Sequence, residues 1–255
     1  MSLSGRFSLK LADIVSDAYA LFAPYTIGRT LAVCKACCIT DAEEAELVST
    51  PLRQVSRNLL QNAYYESARN YSDQELWEMK HFLPRVLELV SGFEFPCHST
   101  EITFTRLDLN RLDMWQPAEV ALLNDFALIF FASCLNSYPL PSGDGLDDIL
   151  VMFGLAHLDL KPLLLAWENA DTAASLQHLA QLLVYGIQDY GRRLPRLTNA
   201  FSEAYVDEVV IGWLQAAQVK QKFARQIEAL ILSDHNLSEE AASKVSWAYD
   251  ILQQM

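Results

Sequence analysis

The 255 residues carry 19 Lys or Arg against 32 Asp or Glu, a net charge of −13, and 51% of them are apolar. That apolar content excludes disorder as the default state, and the length suits one large domain or two packed halves. The acidic field repels phosphate backbones and anionic headgroups, which disfavours nucleic acid and membrane surfaces as partners and favours another protein, a basic one above all.

Residues 1–13 lack the uninterrupted apolar run and small-residue cleavage site of a secretory signal, so a cytoplasmic protein is expected. A first helix is predicted over residues 8–23, ending near Pro24. Thr40 and Glu43 form a capping box for a short second helix, and Pro51 starts a third. The best-marked helix runs from Ser72 to Val90. Ser72 and Glu75 read as its capping box, Leu76, Met79, Leu83, Val86, Leu87 and Val90 share one face, and Gly92 is its stop. Pro84 inside it predicts a kink at residues 80–84. Residues 100–109 mix β-branched alternation with helix formers and stay undecided.

Pro117 opens a long helix to about residue 136. Its apolar run, residues 126–132, is about half of the ~20 residues a bilayer span needs, so it reads as a buried helix. The Pro- and Gly-rich segment from Tyr138 to Gly145 is the strongest breaker. It separates an N-terminal helical half, residues 1–137 with the cysteines, from a C-terminal helical half, residues 138–255, unless 1–255 is a single domain. Beyond it, Asp144 or Asp147, Asp159 before Pro162, Thr172 and Ser238 mark helix starts, and Gly191 with Pro195 brackets a stop. Residues 198–217 and 219–232 form one bent helix or two. The class is all-α, a multi-helix array or bundle of about nine to eleven helices.

Cys34, Cys37, Cys38, Cys97 and Cys134 are an odd set in a chain large enough to need no covalent staples, and read as free thiols of a reducing compartment. Cys34 and Cys37 are spaced to turn towards one metal ion, and Cys97 with His98 would supply the remaining ligands of a zinc site. That second pair is in tandem and lacks the usual knuckle spacing, so buried, unreactive thiols are the simpler reading and no cofactor is favoured.

Glu78, His81, Arg85 and Glu88 share the face opposite the apolar stripe of the 72–90 helix. His81, Arg85 and Glu88 are residue types able to do acid–base chemistry, although such patterns more simply make an ion-paired, solvated face. Arg192, Arg193 and Arg196 follow the helix end predicted at Gly191; they suit either the negative pole of that helix or a pocket for a phosphate or acidic peptide. The Asp144–Asp148 segment lacks the alternating oxygen ligands of a calcium loop, and His157, His178 and His235 stand alone. No phosphate loop, nucleophile elbow or dinucleotide fingerprint occurs.

The runs Cys34-x-x-Cys-Cys, Thr50-Pro-Leu-Arg53, Lys80-His-Phe-Leu-Pro-Arg-Val-Leu-Glu-Leu89 and Trp115-x-x-x-Glu119, all in the first half of the chain, resemble a family of uncharacterised bacterial helical proteins. The resemblance implies an all-helical fold and no particular activity. The residues favour a non-catalytic interaction module with an acidic surface, as in immunity proteins, over two alternatives. One is a metal-binding protein or enzyme built on Cys34 and Cys37 or on the Glu78–Glu88 strip. The other is a small-ligand sensor with an apolar interhelical cavity lined by the aromatic residues of 126–131.

Overall fold

The computed structural model describes residues 3–188, 195–233 and 237–255, with side chains from Lys10 onward. Among the described residues are eleven α-helices and one two-residue antiparallel ladder, Ile187–Gln188 (β1) with Arg196–Leu197 (β2). The fold is all-α. The chain divides into two compact units, residues 1–130 with 156–158 and residues 131–155 with 159–255.

The first unit contains α1 (Leu3–Leu21), α2 (Asp41–Ser49), α3 (Arg57–Leu60), α4 (Asp73–Ser91) and the start of α5 (Pro117–Cys134). The Thr40–Glu43 capping box forms in both directions at α2. Pro51 precedes only a 3-10 turn, Leu52–Gln54; α3 starts instead behind Ser56, whose hydroxyl accepts the Leu59 amide, and it runs into a π turn at Gln61–Tyr65. At α4 the predicted box is half made. The Ser72 hydroxyl accepts the Glu75 amide, but the Glu75 carboxylate turns away to the amides of Asn70 and Tyr71 and to Arg69 and Arg106.

Helix α4 is the axis of this unit, with twelve buried residues, and it stays continuous through Pro84. Helix α1 packs along it. Its end is a Schellman motif in which the amides of Glu94 and Phe93 bond the carbonyls of Leu89 and Val90. The left-handed residue is Phe93 (φ 61°), not the expected Gly92 (φ −94°), and the Phe93 ring packs 5.3 Å from that of Phe130. Residues 100–109 resolve into 3-10 turns, Thr100–Ile102 and Thr105–Leu107, broken by left-handed Asp108. Competing β-branched and polar residues give neither a long helix nor a ladder there.

Helix α5 starts at Pro117 as predicted, and Glu119 reaches back to the Gln116 amide. By length and composition it is the one described helix able to cross a bilayer. Its Leu123, Phe126, Ala127, Phe130, Phe131 and Cys134 are nevertheless buried in protein, and Glu119 is ion-paired, as in a core helix. Phe126 stacks on Phe130 at 5.8 Å and meets Phe104 edge-on, and all three rings are buried.

The second unit holds α6 (Leu146–Leu155), α7 (Lys161–Asn169), α8 (Ala173–Tyr185), α9 (Ala204–Gln215), α10 (Ala217–Leu232) and α11 (Glu239–Gln254), with α8 packed along α11. Thr172 and Ser238 cap as expected. Before α6 the Gly145 amide goes to Asp148, and before α7 Asp159 accepts the Lys161 amide. Ala216 separates α9 from α10, so residues 198–232 contain two helices. Helix α8 stops at Tyr185 with Gly186 as its cap, ahead of the stop expected near Gly191, because residues 187–188 leave the helix to pair with 196–197.

Candidate functional site

The connector between α1 and α2 is held by side chains of its neighbours. The Leu31 amide donates to Glu44 of α2 at 2.6 Å, and the Ala32 amide donates to both oxygens of Glu78 of α4 at 2.9 Å. Asn70 reaches the Ala32 carbonyl at 3.4 Å, and the Ser67 hydroxyl takes the Cys34 amide at 2.6 Å. Glu44, Glu78 and Ser67 are buried, so these bonds are shielded from competing water. The chain therefore enters residue 34 from a fixed direction. It leaves just as firmly: the Ile39 amide closes back on the Cys34 carbonyl at 3.0 Å, Ile39 is buried, and Thr40 caps α2.

The turn between these anchors brings the sulfurs of Cys34, Cys37 and Cys38 within 4.8 Å of one another, with Cys34 3.8 Å from Cys37 and Cys37 3.3 Å from Cys38. Cys37 is exposed and the other two are half-buried. Lys35 is tied to Asp41 at 2.7 Å and Glu44 at 2.5 Å, which directs its ammonium at the start of α2. The Ala36 amide and the neighbouring thiol of Cys37 hold the Cys34 thiol below its ordinary value, while hydrogen bonding to Cys38 and then to Cys34 pushes Cys37 up to about 11. Three thiols held this close together can take up a metal ion by releasing their protons.

The expected partners Cys97 and His98 do not join this cluster. The Cys97 thiol is buried, donates to the Ser99 carbonyl at 2.9 Å and lies 3.1 Å from the Thr103 hydroxyl, and burial raises its pKa. His98 is exposed. The third sulfur is instead Cys38, which the Cys-Cys doublet in the sequence could have supplied. The expected burial of the thiols is found for Cys97 and Cys134, whereas Cys37 is exposed and Cys34 and Cys38 are half-buried.

The Glu78, His81, Arg85 and Glu88 strip is brought together but is no solvated face. Glu78 is buried under Ala32, His81 Nδ1 meets the Tyr25 carbonyl at 2.8 Å, Arg85 Nε donates to the Val55 carbonyl at 2.7 Å, and Glu88 accepts the Tyr19 hydroxyl at 2.7 Å and Arg85 at 2.6 Å. Burial lowers the pKa of His81 and raises that of Glu78. Burial also works to raise Glu88, but Tyr19 and Arg85 outweigh it and leave that carboxyl below the usual range. Each residue of the strip is engaged in tying α1 and the connectors to α4.

Sequence reasoning missed a second group of buried charges. Lys80 donates to Glu119 at 2.7 Å, to the Met114 carbonyl at 2.6 Å and to the Tyr25 hydroxyl at 3.1 Å, over the face of Trp115. A cavity of about 320 Å³ reaches this lysine between Tyr25, Trp77 and Trp115, yet all three ammonium protons are already used. The only signal was a charge at core spacing on each of two apolar helices. Arg192, Arg193 and His235 lie outside the described residues. Arg196 sits in β2 rather than at a helix end, and Asp207 and Glu208 share its cavity, an unfavourable setting for an anion.

Comparison with protein-family models, curated proteins and solved structures finds no match to this chain.

Proposed function

We propose that the protein binds a metal ion through the thiolates of Cys34, Cys37 and Cys38. The observation that carries this reading is the convergence of three sulfurs within 4.8 Å on a turn whose entry and exit are fixed by Glu44, Glu78, Ser67 and the α2 cap. A metal–sulfur bond of about 2.3 Å places the sulfurs of a tetrahedral site about 3.8 Å apart. The Cys34–Cys37 separation of 3.8 Å already has that spacing, and a side-chain rotation at Cys38 opens the 3.3 Å pair. Such preorganisation spares the cost of ordering a loop when the ion arrives. The turn is anchored on both sides by hydrogen bonds that do not involve the thiols, so replacing the sulfurs is expected to leave the fold in place.

The test is metal retention by the reduced chain after desalting. One ion per chain is expected, with loss in the triple Cys34→Ser, Cys37→Ser, Cys38→Ser variant and no change in circular dichroism. Equal retention by that variant would remove the reading.

A second reading, a basic protein partner, draws on the net charge of −13. Its complex weakens steeply as salt rises. A partner captured at low salt and retained unchanged at high salt would contradict it.

A further inference from the structure

We infer that the ion taken by Cys34, Cys37 and Cys38 is a thiophilic one satisfied by three sulfurs, Cu(I) or As(III), in preference to Zn(II); this rests on the metal-binding reading above.

The spacing of the sulfurs does not separate these ions, because trigonal coordination at about 2.3 Å asks for sulfurs about 4.0 Å apart against about 3.8 Å for a tetrahedron. The number and type of donors do. Among the described residues the cluster contains three sulfurs and no fourth ligand from Cys, His, Asp or Glu. The acidic side chains nearest in sequence are already engaged: Asp41 and Glu44 hold Lys35, and Glu43 takes the Thr40 amide and hydroxyl at 2.8 and 2.7 Å. Cys97 is spent on Ser99 and Thr103. Zinc on three protein ligands keeps an open fourth position, as it does in catalytic sites, whereas a structural zinc site almost always closes with four. Soft thiolate donors suit Cu(I), Zn and Fe–S clusters, and of these Cu(I) is the ion that three sulfurs satisfy without a further ligand. As(III) forms three bonds to sulfur and keeps a lone pair in the fourth direction, so it asks for the same donor set. With Cu(I) each thiol that becomes a ligand gives its proton to solvent; with arsenous acid each As–S bond replaces an As–O bond and the thiol proton leaves with the hydroxyl as water, three waters in all, and in neither case is an electron transferred.

The experiment uses the full reduced chain under anaerobic conditions, titrated separately with Cu(I) against a competing chelator, with arsenite, and with Zn(II) against a chromophoric chelator. X-ray absorption then counts the sulfurs around each bound ion. The expected result is one Cu(I) or one As(III) per chain with three sulfur ligands, each single Cys→Ser variant weakening capture at least tenfold, and Zn(II) held no tighter than about micromolar. Whichever of the copper and arsenite arms saturates at one ion with three sulfurs identifies the cargo. Nanomolar Zn(II) in a four-ligand site, or Cu(I) and As(III) each bound by only two sulfurs, overturns the selectivity while leaving metal binding intact. Retention of none of the three ions overturns the metal-binding reading itself. Circular dichroism of the variants reports whether they fold, and Cys97→Ser, which changes a thiol outside the cluster, is expected to leave capture unchanged.

Discussion

Glu78 does more for the candidate site than any sulfur ligand can do for itself. Its carboxylate accepts the Ala32 amide with both oxygens and Gln74 besides, two residues ahead of Cys34. Truncation to alanine leaves a buried amide without a partner, a loss of about 1–3 kcal/mol. Urea denaturation of Glu78→Ala should show a destabilisation of about 2 kcal/mol together with weaker metal capture, and Glu78→Gln, which keeps one acceptor, should lose less. Unchanged stability in Glu78→Ala would mean that the connector is not anchored there. His81 and His178 make a pH prediction. Burial pushes both imidazoles below the ordinary value of 6.5. The unfolded chain then binds protons that the folded chain does not, so stability is full above about pH 6.5 and falls as the medium becomes more acidic. Melting temperature should drop between pH 7.5 and 5.5, and the double His81→Gln, His178→Gln variant should flatten that slope; an unchanged slope would assign the acid sensitivity elsewhere.

Among the elements, α4 carries the first unit because its N-terminus is fixed by a buried ion network as well as by its apolar face. Glu75 accepts Arg106 at 2.5 Å, Arg69 at 3.0 Å and the amides of Asn70 and Tyr71, and both Glu75 and Arg106 are buried. Removing one partner from such a pair strands the other charge, at a cost of about 3–5 kcal/mol. Glu75→Ala should therefore destabilise the chain by several kcal/mol, and a loss below about 1 kcal/mol would show that the network is dispensable. At this scale the sequence was legible where one residue acts on its own neighbours: Thr40 with Glu43, Thr172 and Ser238. It was illegible where a distant residue decides. Glu75 was drawn away from its capping box by Arg69 and Arg106, Phe93 took the left-handed position expected of glycine because its ring packs on Phe130, and α8 ended early because residues 196–197 compete for 187–188. The same limit governs the candidate site. Cys34 and Cys37 could be paired by spacing, whereas Cys38 in place of Cys97 depends on a turn fixed by Glu44, Glu78 and Ser67 from other elements.

For the molecule as a whole, the apolar residues are spent on two cores and most buried charges are spent on one another, and among the described residues the cysteine turn brings three thiols together near solvent. The all-α class followed from helical periodicity and caps. The strip of α4 was recognisable as a strip, but its covering by α1 and the connectors was not, because amphipathic spacing says which residues share a face and not what packs on it. The most direct measurement is native mass spectrometry of the reduced full chain exposed to Cu(I), arsenite and Zn(II), compared with the triple Cys34→Ser, Cys37→Ser, Cys38→Ser variant. A mass gain of one ion per chain that disappears in the variant is the predicted result. A chain that emerges free of all three ions, or a variant that gains the same mass, contradicts it.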